Sequence, residues 1–177
     1  METIIIYGSC YGTSKIYAEA LAKRLKCDVL PFGKAEEPDR YETVVYVGGL
    51  YAGGVMGMAK TVKKISADKC KRFVVITVGL ADPDDEKNVE NIRKAALRQI
   101  PEALAGKTEF YHLRGGIDYG KLGFKHRIMM KMLYEQAKKQ PPDERDADTR
   151  AMIETYGQKV SFVDPERLKI IVKELEE

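Results

Sequence analysis

Three small hydroxyl residues crowd the stretch from Gly8 to Lys15: Ser9, Thr13 and Ser14, with Gly8 and Gly12 among them and Lys15 behind. They follow Thr3-Ile4-Ile5-Ile6-Tyr7, a short apolar, β-branched run of the kind that forms a buried strand. They precede an amphipathic stretch with Ile16, Ala20, Leu21 and Leu25 on one face, which predicts a helix from about Ser14 to Lys26. A strand that stops in a small, hydroxyl-rich turn and feeds a helix makes an anion site. Turn N–H groups and the helix N-terminus converge on one point, and hydroxyls add donors. A phosphate suits such a site. The spacing is not that of a nucleoside triphosphate loop, because Lys15 follows the hydroxyls instead of preceding one. The G-x-G-x-x-G of dinucleotide folds is absent too. Taken alone, the turn admits a second reading: a solvated helix N-cap at Ser9 or Thr13.

The elements that must position this turn follow in regular alternation. Asp28 to Phe32 reads as a short strand, at an edge because it carries Pro31. Thr43 to Gly49 and Arg72 to Gly79 are continuous apolar strands of the doubly covered, parallel kind. Thr108 to Arg114 is the fifth strand. Helices are expected from about Ala59 to Ser66, and from the Asp82-Pro83-Asp84-Asp85 cap through Gln99. This βαβ alternation predicts an α/β, doubly wound, five-stranded parallel sheet in the order 2-1-3-4-5. Ligands of such sheets bind beyond the carboxyl ends of the strands, where strand order reverses. The loops after strands one, three and four are therefore the informative ones.

The residues of those loops resemble one family. Ser9-x-Tyr11-Gly12-Thr13-Ser14 resembles the flavodoxin phosphate loop, usually [TS]-x-T-G-x-[TS], with Tyr11 as the departure. Gly48-Gly49-Leu50-Tyr51-Ala52-Gly53-Gly54 resembles the segment that covers one face of a flavin ring in flavodoxin-like proteins. Gly79-Leu80-Ala81-Asp82 corresponds to the second flanking loop. The resemblance implies FMN. Ser9, Thr13 and Ser14, with the N–H groups from Cys10 through Tyr11, Gly12 and Thr13 to Ser14, would hold its phosphate. Leu50, Tyr51, Ala52 and Gly53, and Gly79, Leu80, Ala81 and Asp82, would line the ring. No tryptophan exists to stack on it. Tyr51 has the alternative of being an exposed loop tyrosine. The flavin carries the chemistry, so no protein catalytic residue is expected, and Asp82, Asp84 and Asp85 are read as helix-start carboxylates.

Beyond the fifth strand the chain runs on for over sixty residues. Residues 115–158 read as an insertion within a single domain, 1–177. It holds a helix whose face comprises Phe124, Ile128, Met129, Met132 and Leu133, widened by Met130 and Tyr134. The segment is basic, with Lys121, Lys125, Arg127, Lys131, Lys138 and Lys139 against Glu135. Residues 141–150 read as a polar loop or mobile stretch, residues 159–163 as strand-like, and Asp164-Pro165-Glu166 as the start of a last helix. Gly115-Gly116, Asp118-Tyr119, the basic helix and Asp148-Thr149-Arg150 resemble, in order, the flavodoxin-type, quinone-linked protoporphyrinogen oxidases.

Charge agrees with an anionic partner. Flavodoxins that serve basic partners are acidic, whereas this chain carries a formal +3. A porphyrin with propionates, held by Lys125, Arg127 and Lys131, or an anionic membrane surface fits better. The bland alternative is a helix docked by its Met/Ile/Leu face with its lysines solvated. Three function classes follow: an FMN oxidoreductase passing electrons to a quinone or other redox partner, an electron carrier without its own substrate, or a flavin-free binding module. Cys10, Cys27 and Cys70 have no C-x-x-C spacing, and no signal segment precedes the first strand. The expectation is a cytoplasmic protein, peripheral at most at the inner face of the membrane. A homodimer is open; neither nucleic acid nor a metal site is expected.

Overall fold

The computed structural model describes residues 2–51 and 53–176. The central strands are β1 (Thr3–Gly8), β2 (Asp28–Pro31), β3 (Thr43–Tyr51), β5 (Arg72–Gly79) and β6 (Thr108–Arg114). They pair in parallel in the order β2-β1-β3-β5-β6, the five-strand order expected. A two-residue strand, β4 (Gly54–Val55), folds back antiparallel on β3 and interrupts the numbering. That hairpin lies in the stretch read from sequence as a glycine-rich loop. The register aligns Gly8 with Gly48, Gly48 with Thr77, and Gly79 with Arg114, so the strand ends form one rim.

Strict alternation splits the core between two faces. Ile4, Ile6, Val44, Tyr46, Phe73 and Val75 pack toward α2 (Met58–Thr61), α3 (Glu86–Leu97) and α4 (Glu102–Ala105). Ile5, Val45, Val47, Val74 and Ile76 pack toward α1 (Thr13–Leu25) and the last helix, α7 (Leu168–Glu176).

The chain after β6 builds a third, smaller core. It contains β7 (Gly116–Asp118), α5 (Phe124–Lys139), α6 (Ala147–Thr155) and β8 (Lys159–Ser161). β7 and β8 pair with each other antiparallel, outside the main sheet. Ile117, Tyr119, Leu122 and Met130 are buried together, with Tyr11, Leu80, Met152 and Tyr156 packed against them. The 141–150 stretch is not a plain loop. Asp146 caps α6 by accepting from the Thr149 N–H (2.7 Å), and Tyr156, just past the helix, stacks on Tyr134 of α5 (3.9 Å between centroids). Tyr17, fully buried on α1, ties down both ends of the insertion. Its hydroxyl donates to the Arg114 carbonyl (2.7 Å) and accepts from the Asp164 N–H (2.8 Å).

Candidate functional site

The turn after β1 is built by two glycines. At Gly8 a Cβ would stand 1.9 Å from the Met56 carbonyl oxygen, which itself accepts from the Tyr46 hydroxyl (2.6 Å). Gly12 adopts φ 90°, a left-handed value that costs other residues strain, and it precedes the first turn of α1. Its N–H donates to Ser9 Oγ (3.0 Å), so Ser9 closes the turn from inside. The first N–H of α1 with a helical acceptor is that of Ile16, on Gly12 O (3.1 Å). The amides of Thr13 to Lys15 therefore point off the helix end, with positive partial charge behind them.

This turn borders a cavity of about 710 Å³, within the usual range of cofactor sites. Ser9, Cys10, Tyr11, Thr13 and Ser14 line one end of it. Leu50, Tyr51 and Gly53 enter from the β3–β4 hairpin, and Gly79 and Leu80 from the end of β5. One cavity thus gathers three loops distant in sequence. Tyr51 is half-buried and donates to Met129 Sδ on α5 (3.1 Å), so it is not an exposed loop side chain.

Other expected residues stand elsewhere. Gly12 shapes the turn without bordering the cavity. Ala81 is buried, and Asp82 faces solvent, accepting from the Asp84 N–H (3.0 Å); neither borders the cavity. Ala52 lies outside the described residues. Lys125, Arg127 and Lys131 are exposed and do not line it either. The reason is helix phase. α5 docks by Met130 and Ala137, with Met129 and Tyr134 half-buried, and leaves Phe124, Ile128 and Met132 outside. The docked face is thus rotated from the one expected, and the cations turn outward.

The structure adds residues that sequence reasoning missed. Asn88, Asn91 and Ile92 of α3 form one wall. Met129, Met130 and Leu133 of α5, with Asp148 and Met152 of α6, form a largely apolar roof. The i, i+3, i+4 spacing of the α3 trio was a usable signal. Asp148 stands 3.8 Å from where a Cβ on Gly79 would lie, and burial, then repulsion from Asp146, pushes its carboxyl up to about 6. His126 of α5 reaches the turn after β1: its Nε2 lies 3.5 Å from Cys10 Sγ, and its ring meets Tyr11 edge-on. Burial raises the Cys10 thiol pKa, which disfavours a reactive thiolate. The Tyr11 hydroxyl is buried with no hydrogen-bond partner among the described residues, and burial drives its pKa upward.

The family model described as Flavodoxin domain matches residues 4–144. The chain belongs to the flavodoxin family. No curated protein matches it. Among solved structures it is similar to a flavodoxin from the domain Archaea, at 14% identity over 87% of this chain and 95% of that one, with a TM-score of 0.42. A mutant flavodoxin from Pseudomonas aeruginosa is similar at 17% identity over 75% and 93%, TM-score 0.44. A Trp repressor binding protein from Bacillus subtilis follows at 14% identity over 64% and 83%, TM-score 0.45.

Membership implies a flavin, and this flavodoxin's own residues fit one. The turn after β1 presents hydroxyls, amides that have no backbone acceptor among the described residues, and no carboxylate. Tyr11 borders the cavity too, while its hydroxyl is buried in the cluster of Ile117, Tyr119, Leu122 and Met130. Gly49 and Gly79 both line the cavity; a Cβ at Gly49 would stand 3.3 Å from Ser14 Oγ, and one at Gly79 2.8 Å from Leu50 Cδ1, so both walls depend on glycine there. No described helix is long and apolar enough to cross a membrane.

Proposed function

We propose that this protein is an FMN-dependent oxidoreductase that oxidises a reduced organic substrate and passes the electrons to a quinone or another redox partner. The carrying observation is that the turn after β1 and the loops after β3 and β5 meet on one cavity. In this reading Ser9, Thr13, Ser14 and the first amides of α1 hold the phosphate of FMN. Leu50 and Tyr51 flank its ring on one side, and Gly79 and Leu80 on the other. When bound, the flavin supplies the electron and hydride chemistry. The chain's residues orient it, and the roof of Met129, Met130, Leu133 and Met152 limits water around it. That roof favours an enzyme with its own apolar substrate over an electron carrier, whose ring edge must stay open to a protein partner. The protoporphyrinogen oxidase resemblance names the first substrate to try. The propionates of a porphyrin would not meet Lys125, Arg127 or Lys131 inside the cavity, so this reading rests on the flavin site and the order of motifs.

The test is the visible spectrum of the FMN-reconstituted protein before and after anaerobic protoporphyrinogen. Bleaching of the flavin band is the expected result. A band that persists, in a protein reducible by a flavodoxin reductase, would move the assignment to an electron carrier. Absence of any bound flavin at micromolar FMN would leave a flavin-free binding module.

A further inference from the structure

The outward pole of α5 is apolar, which is the reverse of an ordinary surface helix. Phe124, Ile128 and Met132, four residues apart and so in one row along the helix, are 78%, 47% and 61% exposed. They lie opposite the buried Met130 and Ala137. Lys125 runs along one edge of the row, and Arg127, Lys131 and Lys138 along the other, all exposed. Lys139 extends it at the C-terminal end, and Glu135 is the single acid on this surface of the helix. Neither the row nor its flanking cations line the cavity. Leu133, also exposed, turns instead toward the cavity mouth.

We infer that this face of α5 is a docking surface for an anionic lipid bilayer, which the protein meets side-on. An apolar row flanked by lysines on both edges is the pattern of a helix lying in a membrane interface. The row enters the acyl boundary while the lysine stems reach back to the lipid phosphates. Three apolar side chains in line suit a plane, which a bilayer provides. A second copy is a poor occupant, because a two-fold contact through this face sets the same cations against themselves. An acidic protein would satisfy the lysines without requiring a straight apolar row between them. The inference does not depend on the flavin reading, since no residue of the row lines the cavity.

The experiment is co-sedimentation of the full-length protein with vesicles of phosphatidylcholine alone or mixed with phosphatidylglycerol. The protein should pellet with the mixed vesicles and stay in solution with the neutral ones. Phosphatidylglycerol at the surface contributes about fivefold in partition per lysine. Lys125→Glu with Lys131→Glu should therefore lower partition by about 25-fold or more, and Phe124→Ser, Ile128→Ser and Met132→Ser together by at least tenfold. All five positions are exposed, and an unchanged thermal transition and circular dichroism spectrum verify folding. Failure to pellet with mixed vesicles overturns the inference. So does pelleting that the serine variant leaves intact, with equal binding to polyglutamate, which would mark an acidic macromolecule as the partner. A dimer in solution that the serine variant dissolves would show that a second copy covers the row, and would overturn it as well.

Discussion

Gly8 has no room for a methyl group. A Cβ there would press on the Met56 carbonyl oxygen, a backbone atom held by the Tyr46 hydroxyl. Gly8→Ala is expected to lower stability by about 2 kcal/mol or more, because backbone must move to relieve the overlap; a denaturant midpoint measures it. Gly12 fails differently. A Cβ at Gly12 meets nothing within 4 Å, but its φ of 90° is strained for alanine. That strain is about 1–2 kcal/mol, and relieving it would re-aim the free amides of α1. Gly12→Ala should therefore weaken FMN binding about tenfold while leaving the fold intact, as read by quenching of flavin fluorescence. Equal affinity in the variant would take the phosphate away from this turn. The glycines and hydroxyls of the turn were legible in the sequence because their types and order are the chemistry. Asp148 was not, because nothing in a polar run such as 143–150 marks which carboxylate folds inward.

At the scale of the element, the insertion is the part where pattern and structure diverged. α5 carries apolar residues around most of its circumference, so periodicity could not say which arc docks. Tertiary partners decided it: Tyr156 stacks on Tyr134, and the Ile117–Tyr119–Leu122 cluster receives Met130. α6 was hidden because its exposed face is charged and its cap, Asp146, looks like one more acid in a run. The parallel strands posed no such ambiguity, since both their faces are covered and the runs are continuous. Tyr17 is one of the residues that tie the segment after β6 to the main body. Tyr17→Phe removes one donor and one acceptor at a buried position, and leaves the Arg114 carbonyl and the Asp164 N–H without it. A loss of about 1–3 kcal/mol is expected. Limited proteolysis should then cut within residues 115–163 sooner than in the parent; an unchanged digestion pattern would deny Tyr17 this role.

For the whole molecule, two half-buried titrating groups pull stability in opposite directions with pH. Asp148 has its carboxyl raised from 3.8 to about 6 by burial. Its contribution is complete below the unfolded value and is lost as pH rises through about 6. His112 is the converse. Burial, then the charge of Arg93, lowers it from 6.5 to about 4, and its Nδ1 is paired with the Thr77 hydroxyl (2.6 Å). Its contribution is present above 6.5 and is lost as pH falls through about 4. Between those limits the two slopes oppose, so their joint effect on stability is small. Asp148→Asn removes one of them. The variant should gain about 1–2 kcal/mol at pH 8 and show stability that climbs from pH 4 to 6.5, measured by denaturant titration at several pH values. A variant as flat as the parent would show that His112 titrates normally.

The chain leaves the main sheet and returns to it at one spot. Gly116 pairs with Ser161, the Phe162 N–H donates to the Gly115 carbonyl (2.9 Å), and Tyr17 holds the residues just outside both. Everything between is an excursion with a closed neck. Because closure cost grows only with the logarithm of loop length, such a neck accepts a longer, shorter or different excursion at little expense to the body that carries it. The segment it closes is therefore mechanically separate from the sheet. The residues that roof the cavity can therefore vary in length and kind with little effect on the pairing of the five parallel strands. Joining Gly115 to Phe162 through a short turn should yield a protein that still folds around the sheet and leaves Tyr51 uncovered.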